Sequence, residues 1–162
     1  MKRNAHDGDD LAGFLARCEG QIRERGCVTV WIPFDSKTHA PPFAYTVGLN
    51  ERFQKPELLV FGFDQDESLV LLESLLRRYV RAGFEIPVDQ PISHVLEEAP
   101  VFAKVVVPLR AAPYARWAIE RCSQLHLRCR LVQIVVPDPR GRFPWDAGYD
   151  KRMDQLQPRL FE

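Results

Sequence analysis

At 162 residues the chain is long enough for one domain of ordinary size, whose core needs neither disulfides nor metals. Its 22 lysine and arginine residues balance 22 aspartate and glutamate residues, so no net field attracts nucleic acid and we expect no nucleic-acid partner. No apolar stretch resembles a signal peptide or reaches the roughly 20 residues that span a bilayer, so we predict a cytoplasmic protein with no membrane partner.

The first part of the chain predicts one helix followed by three strands. Apolar residues recur at helical spacing over roughly 9–25, and Gly26 ends this pattern. Three short runs rich in β-branched and aromatic residues follow, "CVTVWIPF", "FAYTVGL" and "ELLVFGF". The loops between these runs, including 35–42, are short enough for an antiparallel meander.

The second part of the chain alternates helices and strands. Asp64 and Glu67 have the spacing of a capping box ahead of an apolar stripe that Gly83 ends, which predicts a helix. After a proline-rich loop over 86–100, "VFAKVVVPL" predicts a strand, and Pro113 is expected to start a short helix. The continuously apolar "CRLVQIVVPD" predicts a last strand in the centre of the sheet.

This order of elements is typical of an α+β fold. We predict a mostly antiparallel or mixed five-stranded sheet, or a partly closed barrel, covered by about three helices. Residues 1–162 are expected to form a single domain. Within it, 1–8 are predicted to be a flexible N-terminal tail and 147–162 a C-terminal tail packed on the domain.

The cysteines and histidines do not predict a metal site. Cys18, Cys27, Cys122 and Cys129 lack C-x-x-C spacing and are expected to be free thiols in a reducing compartment. Cys122, His126 and Cys129 could share one helical face, but a fourth ligand is missing, so we predict no metal. The chain also lacks the glycine-rich motifs that hold nucleotide phosphates.

Several long motifs occur together in this chain: "PPFAYTVGL", "KPELLVFGF", "LVQIVVPDPRGRFPWD" and the glutamine in "QLQPRL". In this order they resemble a bacterial family known as domain of unknown function 4262, and the resemblance covers nearly the whole chain. It implies no particular activity. One departure is Lys55, where the family motif often carries histidine before Pro-Glu, which weakens any metal-ligand or catalytic-base role there. The resemblance also implies a set of positions that are characteristic of the family. They are Tyr45, Thr46, Gly48, Pro56, Glu57, Gly62, Gln133, Pro137, Asp138, Gly141, Phe143, Pro144, Trp145, Asp146 and Gln157.

Polar residues interrupt the apolar strands. Tyr45 and Thr46 lie in "FAYTVGL", Glu57 begins "ELLVFGF", and Gln133 lies in "LVQIVV". A buried polar group without a partner costs about 1 to 3 kcal/mol, so these side chains should either bind one another or face a wet pocket. If they form a pocket, their polar atoms should surround one cavity.

The stretch "PDPRGRFPWD" is either a turn or a site. In the first interpretation Arg140 and Arg142 pair with Asp138 and Asp146 around the turn, and the aromatic residues cap the core. In the second, the arginines bind a carboxylate or phosphate beside the aromatic wall of Trp145.

These observations favour a small-ligand-binding or regulatory module. Its pocket is expected where "AYTVGL", the entrance to the "PEL" strand and "PDPRGRFPWD" meet. An enzyme that acts on a small anionic substrate or uses a flavin is an alternative, as is a protein-interaction role as an immunity or accessory protein. No motif specifies a cofactor or a catalytic set. The ligand-binding candidates are Tyr45, Thr46, Gly48, Glu57, Gln133, Asp138, Arg142, Trp145 and Asp146.

Overall fold

The computed structural model describes residues 11–162. These residues form a mixed sheet with helices on both faces. The helices are α1 (Leu11–Arg25), α2 (Leu49–Phe53), α3 (Gln65–Leu75, continued by a π-helical turn over Leu76–Val80), α4 (Pro108–Ala111), α5 (Arg116–Gln124) and α6 (Met153–Leu156). The strands are β1 (Val28–Ile32), β2 (Phe43–Val47), β3 (Glu57–Phe61), β4 (Pro91–Ile92), β5 (Val101–Val105) and β6 (Leu131–Val135). The α+β class is therefore confirmed.

The six strands lie in the order β1-β2-β3-β6-β5-β4. The first three form the predicted antiparallel meander. Strand β6 lies between β3 and β5, as its continuous apolar character predicts, and it runs parallel to β3 but antiparallel to β5. The parallel pair brings the first residues of β3 and β6 to one end of the sheet and their last residues to the other.

Three details of the predicted architecture are wrong. The sheet has six strands because Pro91 and Ile92, in the proline-rich loop, pair with β5 over two residues, too few to produce an alternating pattern. The described residues form six helices, since α2, α4 and α6 each have only four or five residues and show no helical period. The sheet is open, with β1 and β4 at its edges, rather than a barrel.

Helix α3 packs against one face of the sheet. Its N-cap is the predicted capping box, in which the Asp64 side chain accepts from Glu67 N and the Glu67 side chain accepts from Asp64 N. Leu72 of this helix is fully buried in one cluster with Leu58 and Val60 of β3. Burying each such side chain contributes about 1.5 to 3 kcal/mol, so this layer anchors the centre of the sheet.

The opposite face is covered by α1, α5 and the C-terminal segment. Tyr45 of β2 packs in one cluster with Ile22 of α1 and Trp117 of α5. Val135 of β6 packs with Phe161, close to the C-terminus. The predicted tail over 1–8 and the predicted start of α1 near residue 9 lie outside the described residues.

Helix α5 begins three residues later than its sequence predicts. Pro113 lies in the turn that precedes the helix, and Arg116 is the first helical residue. Trp117 and Cys122 face inward as expected, whereas Leu125 is 39% exposed at the end of the helix. None of the described helices has the length and apolar character needed to cross a membrane.

Candidate functional site

The predicted site residues lie in two groups at opposite ends of β3 and β6. Glu57 pairs with Leu131 at the start of the two strands, whereas Asp138 follows three residues after the end of β6 at Val135. Thr46 and Gly48 lie beside Glu57; Arg142, Trp145 and Asp146 lie in the loop of Asp138; Tyr45 and Gln133 lie between the two groups. The nine residues therefore do not surround one cavity, in contrast to the expected single pocket.

The Glu57 carboxylate is buried and accepts four hydrogen bonds. Its Oε2 accepts from Thr46 Oγ1 at 2.7 Å, and its Oε1 accepts from Gly48 N at 3.0 Å, Asn50 N at 3.1 Å and Asn50 Nδ2 at 3.3 Å. Burial raises the pKa of Glu57, and these hydrogen bonds act in the opposite direction. Because all four partners are donors, the arrangement suits an ionised carboxylate.

The backbone around this carboxylate is specialised. The pairing of β2 with β3 stops at Tyr45 and Leu59, and beyond it Leu58 N donates to Thr46 Oγ1 at 2.9 Å. Gly48 then turns the chain into α2 with a φ of 121°, and a Cβ at this position would lie 2.9 Å from Gly26 O. Glycine is therefore required here, and Glu57 supplies the acceptor that the N-terminus of α2 otherwise lacks.

Asn50, which sequence reasoning missed, connects this network to β6. Its Oδ1 accepts from Arg130 N at 3.1 Å and its Nδ2 donates to Arg130 O at 3.0 Å. Glu57 N also donates to Arg130 O at 2.9 Å. Nothing in "VGLN" distinguishes this asparagine from an ordinary helix-start residue, so only the fold reveals its role.

Tyr45 and Gln133 occupy the middle of the sheet, where neither faces open solvent. The Tyr45 hydroxyl accepts from Trp117 N at 3.4 Å, which links β2 to α5. Gln133 Nε2 donates to Pro158 O at 2.8 Å, and its Oε1 accepts from Leu160 N at 3.0 Å. Gln133 thus holds the C-terminal segment against the sheet.

Asp138 organises the loop after β6. Its Oδ1 accepts from Arg140 N and Arg142 N at 2.9 Å each, and its Oδ2 accepts from Asp150 N at 3.0 Å. Arg142 Nε also lies 3.3 Å from Oδ2. Burial acts to raise the pKa of Asp138, but the backbone donors and the Arg142 charge together lower it. This carboxylate is thus committed to its own loop.

Trp145 caps the sheet rather than facing the strand ends that carry Thr46 and Glu57. Its ring stacks on Phe143 with centroids 5.2 Å apart and meets Phe102 edge-on at 5.0 Å. Lys104 Nζ lies 4.5 Å from the Trp145 ring centroid, a cation–π geometry. Asp146 accepts from Phe143 N at 2.7 Å. The turn interpretation of "PDPRGRFPWD" therefore describes the Arg142–Asp138 pair and the aromatic cap.

A cavity of about 310 Å³ lies beside the Asp138 loop, at the carboxyl ends of β3 and β6. Gly62, Val136 and Pro137 line it from the sheet, and Met153 and Leu156 line it from α6. The lining is mostly apolar. Sequence reasoning missed the α6 residues because a single helical turn gives no periodic signal.

The four cysteines are free thiols in the structure. Across residues 11–162, no three His, Cys, Asp or Glu side chains are grouped so that they could hold a metal ion.

A family model described as "Domain of unknown function (DUF4262)" matches residues 21–150, four fifths of the chain. The chain belongs to this family. The DUF4262 match includes both the Glu57 network and the Asp138 loop, and it ends before α6 and Gln157. No curated protein and no solved structure matches the chain.

Proposed function

We propose that this DUF4262 protein is a small-ligand-binding module whose ligand occupies the 310 Å³ cavity beside the Asp138 loop. The observation that carries the proposal is the position of this cavity at the carboxyl ends of the parallel strands β3 and β6. Ligands of open sheets with parallel strands commonly bind outside the carboxyl ends of those strands. The cavity also has the size and apolar character of a small-molecule site.

The walls of the cavity are held by buried hydrogen bonds. Gln157 Oε1 accepts from Val136 N at 2.8 Å, and Gln157 Nε2 donates to Val136 O at 3.0 Å. The Asp138 carboxylate fixes the neighbouring wall through three backbone donors. When a site is already formed, little binding free energy is spent on ordering the protein around the ligand. The fixed walls of this cavity therefore favour binding.

Gly62 allows α6 to close the cavity. Its φ is 87°, and a Cβ there would lie 3.3 Å from Leu156 O. Leu156 itself is 51% exposed, so its side chain lies between the cavity and solvent. The occupant that suits this lining is a small, neutral and mainly apolar molecule.

The polar side chains that line the cavity, Asp138 and Gln157, are engaged in hydrogen bonds within the protein, which favours binding over catalysis. No contact of this cavity favours the alternative functions. These remain predictions: use of a flavin, action on a small anionic substrate, and an immunity or accessory role.

Filling the cavity is expected to weaken the binding of neutral apolar probes. Ligand-observed NMR titration of the native protein with indole should give a Kd of about 1 mM, the affinity typical of a ligand with so few atoms. In Leu156→Trp the new ring should occupy the cavity and weaken indole binding by at least about tenfold. Amide shifts on binding should concentrate at Gly62, Val136 and Asp138.

Val70→Trp is the matched control, because Val70 is 70% exposed on α3 and lines no part of this cavity. This variant should bind indole as the native protein does. The proposal is wrong if the native protein fails to bind neutral probes, or if both tryptophan variants bind indole equally well.

A further inference from the structure

A second cavity, of about 430 Å³, lies at the other end of β3 and β6. We call it the arginine cleft. Pro56, Val105 and Val132 line it with apolar surface, and Arg128, Arg130 and Glu85 carry charge around it. Val105 is 62% exposed, so an apolar strand residue meets solvent at this cleft. The cleft shares no lining residue with the cavity beside the Asp138 loop.

Two of the three charged side chains around the arginine cleft have partners within the protein. Glu85 forms an ion pair with Lys55. Arg130 donates through its guanidinium to Gln54 O. Arg128 is exposed and forms no ion pair with any residue in the described part of the chain. A guanidinium without a carboxylate partner is therefore available beside an apolar surface.

The Glu57 network fixes the wall that carries these arginines. Asn50 holds both backbone polar groups of Arg130, and Glu57 N donates to Arg130 O. Arg128 precedes this anchored residue by two positions. Glu57, which was predicted to line a pocket, thus supports the wall of the cleft through Asn50 and through its own backbone N, while its buried carboxylate stays out of reach of a ligand.

A second group of arginines lies near the ends of helices, and this position explains why they are there. The same explanation does not apply to the arginine cleft. Arg25, Arg52 and Arg81 surround a depression where α1, α2 and the π-helical turn end. Helix C-termini carry partial negative charge, which nearby arginines stabilise. Arg128, in contrast, lies four residues beyond the end of α5 at Gln124 and three residues before the start of β6 at Leu131.

We propose that the arginine cleft binds a small carboxylate with an apolar body. The carboxylate pairs with Arg128, since a planar guanidinium matches a carboxylate with two parallel hydrogen bonds. The apolar body covers Val105 and Pro56, and the loss of exposed apolar surface contributes to affinity. This ligand class differs in charge from the one proposed for the cavity beside the Asp138 loop, so the two proposals are tested with different probes.

Matched ligands and matched variants test the charge requirement. Phenylacetate and its neutral analogue phenylacetamide are titrated by NMR at low ionic strength, where ion pairs are least screened. Phenylacetate should bind at least about tenfold more tightly than phenylacetamide. Arg128→Gln should remove this difference, Arg128→Lys should retain part of it, and Arg25→Gln should leave it unchanged.

Cys129 provides a second readout inside the cleft. It is half-buried and lines the cleft, whereas Cys18, Cys27 and Cys122 are 5%, 7% and 3% exposed. The backbone amide signal of Cys129 should shift in heteronuclear NMR when phenylacetate is added, and should shift less with phenylacetamide at the same concentration. Cys129→Ser should lose this cysteine amide signal, which verifies the assignment.

Three results would overturn the proposal: equal binding of phenylacetate and phenylacetamide to the native protein, equal losses in Arg128→Gln and Arg25→Gln, or no shift of the Cys129 amide signal when phenylacetate is added. Indole binding beside the Asp138 loop is scored separately, so failure at one cavity is distinguishable from failure at the other.

Discussion

Replacing Glu57 by glutamine is expected to lower the free energy of unfolding by about 3 kcal/mol, because a buried charged acceptor of several hydrogen bonds is lost. The glutamine NH₂ group would face the Thr46 hydroxyl, which donates to Glu57 Oε2 in the native protein. One donor would then lack an acceptor in a buried site. Urea unfolding and a thermal scan should both report the loss, the latter as a fall of about 6 to 12 °C in Tm.

The control for this change is Glu98→Gln, which removes the same charge at an exposed position. It should shift the free energy of unfolding by less than about 0.5 kcal/mol. If Glu57→Gln is as mild as Glu98→Gln, the four hydrogen bonds do not stabilise the fold as described. If Glu57→Gln unfolds the protein completely, Thr46→Val provides a milder test, because it removes one of the four donors and should cost about 1 to 2 kcal/mol.

Replacing Asp138 by asparagine is expected to lower Tm by about 5 °C at pH 7. The asparagine amide can accept at one oxygen only, so the donors that now bind both carboxylate oxygens lose a partner. The ion pair with Arg142 is lost as well. Differential scanning calorimetry at neutral pH measures the effect.

The same substitution should also change how stability depends on pH. The pKa of Asp138 is lower in the folded protein than in the unfolded chain, so its carboxylate stabilises the fold above the unfolded pKa. This contribution is lost as pH falls through the folded pKa. The difference in Tm between native protein and Asp138→Asn should therefore shrink toward zero as pH is lowered from about 5 to about 2. A difference that stays constant over this range would contradict the role assigned to the carboxylate.

Local patterns in the sequence predicted the elements whose structure depends on near neighbours. The capping box at Asp64 and Glu67, the meander of β1 to β3 and the apolar strand β6 all follow from short stretches of chain. Short elements escaped prediction, because β4 forms only through its pairing with β5 and the single turn of α6 has no repeat.

The need of single buried polar residues for partners was predictable, but the site was not: of the nine ligand-binding candidates, only Asp138 lines the proposed cavity. Thr46, Glu57 and Gln133 were expected to need partners, since each interrupts an apolar run, and each has them. Which end of the sheet each residue occupies depends on the parallel pairing of β3 with β6. No local pattern encodes that pairing, so two separate groups were expected to form one pocket.

The parallel pairing of β3 with β6 also governs when the sheet can be completed. Glu57 and Leu131 pair across a long stretch of chain, and the Asn50–Arg130 bonds join residues 80 positions apart. A ribosome adds about 5 to 20 residues per second, so the edge of β3 waits several seconds for its neighbour during synthesis. All five residues of β3 are buried in the folded protein, and this apolar strand with an unpaired edge can meanwhile pair with other chains. We therefore expect nascent chains that end between β3 and β6 to expose an apolar strand edge that the completed sheet covers.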